Sequence, residues 1–244
     1  MKKSLLALSV ALAAGAIPTA SFADLAFNVG GVTEYRYRGI SQSRLKPALQ
    51  GGIDYSNGGF YLGAWASTIK WIKDAGGDGN VEIDVYGGYK GDIVKDSLSY
   101  DVGVLTYNYP SNKLKAITGA KADTVELYGA LTFGPATVKY SHAVTDTFGN
   151  PDSKNSFYLE AGASFDVYDG WSLAPHIGYQ KIKGPFEDPA TYTDYSLTLS
   201  KDFKGLVPSI AIIGTDADKS FYVSPVNGKK LGTTKLVLGI KYNF

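Results

Sequence analysis

Hydrophobic and polar residues alternate with a period of two along most of this chain, and the C-terminal segment shows the pattern most clearly. The even positions are Thr234, Leu236, Leu238, Ile240, Tyr242 and Phe244, and the odd positions are Lys235, Val237, Gly239, Lys241 and Asn243. Successive side chains of a β-strand point to opposite faces, so one face of this segment is apolar and the other is mostly small or charged. The pattern predicts a strand.

The same alternation predicts twelve strands in all and indicates no helix. The predicted strands span residues 25–38, 47–55, 59–71, 81–89, 97–109, 123–133, 136–147, 156–167, 171–182, 192–203, 207–216 and 234–244. The connections between them alternate between short turns and longer polar loops. This arrangement, with an even number of strands, is typical of bacterial outer-membrane barrels. We therefore predict an all-β fold, a transmembrane up-and-down antiparallel β-barrel.

Periodicity alone does not say which face of such a barrel points outward. A soluble exported barrel or sandwich would turn its apolar face inward and its charged face to water. Three features favour the membrane barrel, namely the alternation of loop lengths, the aromatic residues at the C-terminus and the small residues on the polar face.

The N-terminus has the pattern of an export signal. Lys2 and Lys3 precede an uncharged apolar run over residues 5–17, and small residues flank Phe22 at the end of the segment. The run is shorter than the roughly 17 residues that a membrane span requires, which disfavours an uncleaved anchor. We predict a signal peptide over residues 1–23, export through the Sec pathway and a barrel domain over residues 24–244.

Several segments in the first half of the chain resemble the TorF-type porin family, outer-membrane proteins long catalogued as of unknown function. They are residues 35–42 (YRYRGISQ), 47–55 (PALQGGIDY), 59–67 (GFYLGAWAS), 82–89 (EIDVYGGY), 100–103 (YDVG), 107–110 (YNYP) and 126–128 (ELY). The resemblance implies a barrel in the outer membrane of a Gram-negative bacterium that acts as a porin. It supplies no substrate and no catalytic residue.

The end of the chain resembles a second known feature of such proteins. Gly239, Tyr242 and Phe244 match the C-terminal signal that outer-membrane barrels present to the barrel-assembly machinery. The predicted partners are therefore outer-membrane lipid, the assembly machinery during biogenesis, and small polar solutes.

Composition excludes several other classes of protein. Lys and Arg number 24 against 23 Asp and Glu, which gives no electrostatic reason to expect a nucleic-acid partner. The absence of Cys excludes thiol chemistry and disulfides, and we expect no cofactor. A mean hydropathy of −0.08 excludes a bundle of membrane-spanning helices.

The side chains that face the lumen would determine the chemistry of such a barrel. If the apolar positions face lipid, the charged positions of the same strands point inward, because an Arg facing lipid at midplane costs about 2–4 kcal/mol. The predicted pore-lining residues are Glu34, Arg36, Arg38, Asp54, Glu82, Asp84, Asp101, Glu126, Glu160, His176 and Asp194. Acidic residues outnumber basic ones in this set, which predicts a weak preference for cations.

Three functions remain open on the sequence alone, namely a channel, a filled structural or adhesive barrel, and an enzyme. Facing charges could line a narrow water-filled channel for passive diffusion, or they could pair and fill the barrel, because twelve strands leave a narrower bore than 16–18 strands do. A filled barrel would be structural or adhesive, although the outer loops are short for a receptor surface. We predict the channel.

An enzyme is the least favoured function. His142 shares its face with apolar residues, and His176, although it points inward, has no Ser in a recognisable nucleophile motif. We therefore predict no catalytic residue, with hydrolysis as a weaker alternative. The loop residues Asp74, Asp78, Asn80, Asp216 and Asp218 lack the spacing of a calcium loop, so no metal site is predicted.

Overall fold

The computed structural model describes residues 24–244, so the predicted signal peptide lies outside the described residues. In chain order the strands are β1 (Asp24–Val32), β2 (Arg36–Tyr37), β3 (Ile40–Ser41), β4 (Ala48–Asn57), β5 (Phe60–Thr68), β6 (Val81–Val94), β7 (Leu98–Asn108), β8 (Thr124–Phe133), β9 (Ala136–Ala143), β10 (Phe157–Ala163), β11 (Phe165–Tyr168), β12 (Trp171–Lys181), β13 (Tyr192–Lys201), β14 (Leu206–Thr215) and β15 (Lys235–Asn243).

All of these strands except β2 and β3 belong to one antiparallel sheet that closes on itself. Neighbours in sequence pair side by side, β1 pairs with both β4 and β15, and β10 pairs with both β9 and β12. β10 and β11 are one strand position interrupted at Ser164, so the wall has twelve strand positions within residues 24–244. The predicted closed antiparallel barrel is confirmed.

The apolar face of the wall points outward. In β15, Leu236 is 58% exposed whereas its neighbour Val237 is 4% exposed, and the same parity holds around the barrel. The alternative of a soluble barrel with an apolar interior is therefore wrong. An apolar surface that encircles the molecule is stable in a lipid environment, whereas in water it would promote association.

Aromatic residues cluster at one end of this outer surface. Phe60, Phe133, Tyr168, Phe203 and Phe244 are all at least half exposed there. A ring of aromatic side chains at the edge of an apolar band is typical of barrels at a membrane interface, where the rings contact both lipid and head groups.

The connections divide the barrel into two unlike ends. The short connections lie together at what we call the turn end, and the longer ones lie at the opposite, loop end. The loops contain the single-turn helices α1 (Trp71–Asp74), α2 (Lys115–Thr118) and α3 (Glu187–Ala190), which the period-two pattern did not predict. None of the helices within residues 24–244 has the length and hydropathy that a membrane-spanning helix requires.

The first predicted strand differs from the observed one. Alternation predicted a strand over residues 25–38, but β1 ends at Val32 and the chain then leaves the wall. Residues 33–47 fold into the barrel, and β2 and β3 pair with each other there as a separate ribbon. The alternation continues past Val32 because this ribbon is itself made of strands.

Hydrogen bonds and stacked rings join the first and last strands of the wall at the seam between β1 and β15. The amide of Phe27 donates to the Phe244 carbonyl at 2.9 Å, the amide of Phe244 donates to the Phe27 carbonyl at 3.0 Å, and their rings stack with centroids 5.8 Å apart. Deletion of Phe244 is expected to reduce the compact, heat-modifiable species on gels, because it removes both hydrogen bonds that end the seam. Phe133→Ala is the matched control, since Phe133 is equally exposed but lies away from the seam. Equal amounts of compact protein in both variants would contradict the prediction.

Candidate functional site

A β-hairpin enters the lumen from the loop between β1 and β4. Tyr37 pairs with Ile40, so Arg38 and Gly39 form a two-residue turn, and both have positive φ, +45° and +77°. Positive φ at both central positions is the geometry of the tight hairpin turns that match strand twist. The interpretation of Glu34, Arg36 and Arg38 as a charged row on the wall strand β1 is wrong, because all three belong to this hairpin or to the segment that leads into it.

The side chain of Arg38 crosses the lumen to the facing wall. Its guanidinium forms a bidentate ion pair with Glu126, at 3.0 and 2.7 Å, and donates to Oε1 of Gln180 at 2.6 Å. The guanidinium carbon also lies 4.1 Å from the centre of the Tyr158 ring. These partners belong to β8, β12 and β10, so one side chain binds three wall strands. Bidentate pairs of this kind fix geometry as well as contributing energy.

The turn itself is seated against another part of the wall. A Cβ on Gly39 would collide with the methyl group of Thr215 and lie 2.8 Å from Cβ of Asp194. Arg36 secures the stem, because its Nη1 donates to the carbonyls of Gly39 at 2.9 Å and Thr233 at 2.8 Å. The hairpin therefore contacts wall strands across the lumen and constricts the loop half of the barrel.

Buried carboxylates surround the hairpin. The hydroxyl of Tyr35 donates to Glu82 at 2.6 Å, and the hydroxyl of Tyr107 donates to Glu126 at 3.1 Å. Glu34 lies 2.8 Å from the Nε of Arg36. Buried charges are tolerated when they are paired or hydrogen-bonded, and tyrosine hydroxyls supply much of that pairing here.

His176 lies between two carboxylates on the lumenal wall. Its Nε2 is 3.1 Å from Glu160, its Nδ1 is 3.5 Å from Asp194, and the hydroxyl of Tyr158 donates to Asp194 at 2.8 Å. Both ring nitrogens therefore face acidic groups. His142, in contrast, lies on the outer side of the barrel, where it contacts Tyr140 and Asn155.

The turn half of the lumen contains residues that the sequence analysis missed. Lys139 lies 4.2 Å from the centre of the Tyr128 ring, and Lys90 lies over Tyr61, whose hydroxyl donates to Asp101 at 2.6 Å. Further members of this half are Tyr86, which donates to Asp54, and Lys241. Strand parity would have found these lysines, because each alternates with outward apolar neighbours.

The predicted pore-lining residues all reach the lumen, some from the wall strands and others from the inward loop. The wall residues have buried or half-buried side chains on the lumenal face, and they are Asp54, Glu82, Asp84, Asp101, Glu126, Glu160, His176 and Asp194. The other three, Glu34, Arg36 and Arg38, reach the lumen on the inward loop. Whether they line a conducting pore stays a prediction at this point.

The acidic loop residues have local partners. Asp74 binds Arg44, and a hydrogen bond from Lys113 at 2.9 Å lowers the pKa of Asp78. Asp218 accepts from Ser220, which lowers the pKa of its carboxyl, and Asp216 accepts from the amide of Thr193 at 2.7 Å. No group of three or more His, Asp or Glu with metal-binding geometry occurs in the part of the chain that the structure describes.

A closed barrel with an apolar outer face, an aromatic edge and a charged lumen is the architecture of porin-type outer-membrane proteins. The chain belongs to the Gcw_chp family, described as a bacterial protein of unknown function, whose model matches residues 16–244. A porin-like family of unknown function was predicted, and the TorF name itself stays a prediction. None of the curated proteins compared with the chain matches it.

Solved porins share this fold at low sequence identity. The NanC porin is 14% identical, with a TM-score of 0.59 over 89% of this chain and 98% of its own. The KdgM porin is 11% identical, with a TM-score of 0.57 over 90% of this chain and 99% of its own, and the same values hold for a structure of it in complex with disordered oligogalacturonate. At these identities the similarity establishes the fold alone.

Proposed function

We propose that this protein is a narrow channel of the Gram-negative outer membrane for the passive diffusion of small polar solutes. The observation that carries the proposal is the contrast between the two surfaces of one closed wall, apolar outside and charged inside. The turn half of the lumen is lined by tyrosine hydroxyls and by the partly exposed side chains of Lys139, Asp101 and Asp54. These polar groups require water to solvate them. By the usual orientation of such barrels the turn end faces the periplasm and the loop end faces outside. Sec export and recognition of Gly239, Tyr242 and Phe244 by the assembly machinery belong to the same proposal.

The main alternative is a filled, non-conducting barrel, and the hairpin is the feature that favours it. The hairpin is held across the lumen by the ion pair of Arg38 with Glu126 and by the close packing of Gly39 against Thr215 and Asp194. We favour a constriction over a permanent plug because the hairpin occupies the loop half only. Planar-bilayer recordings of the refolded protein test this choice. Discrete conductance steps support the channel, and their absence at every voltage supports the filled barrel.

Catalysis is not part of the proposal. A hydrolytic histidine needs one ring nitrogen free to activate a nucleophile, with the other oriented by an acid. Both nitrogens of His176 face carboxylates, and His142 lies outside the lumen. These contacts support a structural role for His176 in the wall.

The charge of the lumen supports a preference for cations or zwitterions. The ion pairs Arg38–Glu126 and Arg36–Glu34 largely cancel. Glu82 and Asp84 then remain in the loop half, together with Glu160 and Asp194, which share His176. Lys90, Lys139 and Lys241 offset the acids of the turn half, so the preference is weak. A structure of the KdgM porin includes oligogalacturonate, a polyanion. We do not propose an anionic solute for the present chain, because carboxylates are in excess in its own lumen.

Asp101 and Lys139 offer a matched test of selectivity. Each is aligned with Ala130 of the strand between them, so they lie at one level of the lumen. Asp101→Asn is expected to lower the cation preference and Lys139→Gln to raise it, because rings of acidic side chains favour cations in a narrow bore. Reversal potentials in a salt gradient measure both. An anion-selective wild type, or shifts of the same sign in the two variants, would refute this selectivity.

A further inference from the structure

An open cavity of about 550 Å³ lies at the loop end, on the outer side of the hairpin. Aromatic side chains form much of its lining, and we call it the vestibule. The rings include those of Tyr37, Trp71, Tyr109, Phe148, Tyr192 and Tyr222. Small-molecule sites of roughly 300–1,000 Å³ with mainly apolar linings are common in proteins.

The rings form two walls with the hairpin between them. On one side Trp71 stands edge-on to Tyr109, with centroids 5.1 Å apart, and on the other Tyr192 stands edge-on to Tyr222, also at 5.1 Å. The walls belong to separate hydrophobic clusters, and the hairpin contacts both, through Tyr37 on the first side and Ile40 on the second. The vestibule therefore has an aromatic wall on each side of the hairpin, and Trp71 and Tyr222 are the more exposed rings of these walls because Tyr109 and Tyr192 are buried.

Most polar groups of the vestibule are already engaged, whereas the buried indole Nε1 of Trp71 has no hydrogen-bond partner. The side-chain amide of Gln42 donates to the Ile40 carbonyl at 3.0 Å, and that of Asn150 donates to the Thr147 carbonyl at 2.9 Å. The hydroxyl of Tyr222 donates to the Ala190 carbonyl at 2.8 Å. Arg44 and Asp74 form a closed ion pair. A ligand rich in hydroxyls would find few donors here, and a charged one would find no unpaired partner among these groups. A flat ring needs only aromatic faces and apolar edges.

We propose that the vestibule binds small, uncharged, flat heteroaromatic solutes, which stack between its two aromatic walls before they pass the hairpin. The proposal deepens the channel function, because it names the class of solute that the channel captures. Binding itself does not require conduction, so the two proposals can fail separately.

Caffeine is a suitable probe because it is flat, bicyclic and uncharged. Calorimetric titration into the folded protein in detergent, corrected with empty micelles, is expected to give saturable binding at one site. Trp71→Leu and Tyr222→Leu, one on each wall, are each expected to weaken binding by about tenfold, because stacking on one ring contributes on that scale. Trp71→Phe should weaken it less, since a ring remains. Tyr168→Leu, at the turn end, should leave affinity unchanged, and heat-modifiable mobility confirms that each variant is folded.

Each outcome decides between the proposals. No saturable caffeine binding, tighter binding of maltotriose than of caffeine, or an equal loss of affinity in Tyr168→Leu would overturn the vestibule site. Conductance without caffeine binding would leave the channel intact and refute the vestibule. Caffeine binding without conductance would support the vestibule and refute the channel.

Discussion

Replacement of Arg38 by alanine is expected to raise single-channel conductance several-fold over the wild type. Arg38 is the side chain that reaches from the hairpin to Glu126, Gln180 and Tyr158, so its loss removes the main contact that holds the constriction across the lumen. The variant also leaves Glu126 buried without its cation, which costs about 3–5 kcal/mol of folding free energy. Conductance in planar bilayers and the melting of the heat-modifiable band measure the two effects.

Three further variants separate the opening of the lumen from simple destabilisation. Arg44→Ala is a control that removes an arginine from the same loop. It breaks only the ion pair of Arg44 with Asp74, so conductance should not rise. Arg38→Ala combined with Glu126→Gln removes the unpaired charge, and it should regain stability while conductance stays high. Replacement of residues 33–47 by Asn-Gly joins Val32 to Ala48, which already pair, through a favoured two-residue turn. If this last variant folds and conducts no better than the wild type, the hairpin is not the constriction.

Gly39→Ala is expected to unseat the hairpin and to produce larger, noisier current steps. The added methyl group meets Thr215 and Asp194 on the facing wall, and the residue has a φ of +77° that disfavours any side chain. Positive φ alone costs about 1–2 kcal/mol for an L-residue. In addition to that cost, the clash is expected to displace the turn from its contact with Thr215 and Asp194.

Gly58→Ala is the matched control for this substitution. Gly58 also has a positive φ, +59°, but a Cβ there meets nothing within 4 Å. Both variants should lose similar backbone stability, and only Gly39→Ala should change the current. Equal conductance in the two variants would mean that the seat of Gly39 does not hold the constriction.

The wall of the barrel could be predicted from sequence because each wall strand obeys one local rule. Successive residues of a wall strand face lipid and lumen in turn, so they must be apolar and polar in turn. The alternation in segments such as Lys235–Asn243 therefore predicts both the strand and which of its faces points to lipid. The interruption at Ser164 escaped prediction because alternation continues across it. The inward turn of the chain after Val32 escaped for the same reason.

The constriction could not be predicted because its partners are distant in sequence. Nothing local to Arg38 indicates that it will pair with Glu126, since both residues fit the pattern of an ordinary lumenal strand position. Arg38 and Gly39 form a tight turn with positive φ at both positions, but in a sequence Arg-Gly is a weaker turn signal than Asn-Gly or Asp-Gly. The lysines at positions 90, 139 and 241 were accessible to the parity rule, and their omission overstated the acidity of the turn half.

The distances along the chain between the hairpin and its partners also have a consequence for folding. Arg38 binds residues 88 and 142 positions later, and Arg36 binds the carbonyl of Thr233, 197 positions later. Contacts of such high contact order form only after the entropy of closing very long loops has been overcome. The hairpin belongs to the first loop to be synthesised, yet its binding surface is complete only when the last strands have been added. The contact of Arg36 with Thr233 requires the segment that precedes the last strand, so the full set of contacts that holds the hairpin is completed late in folding.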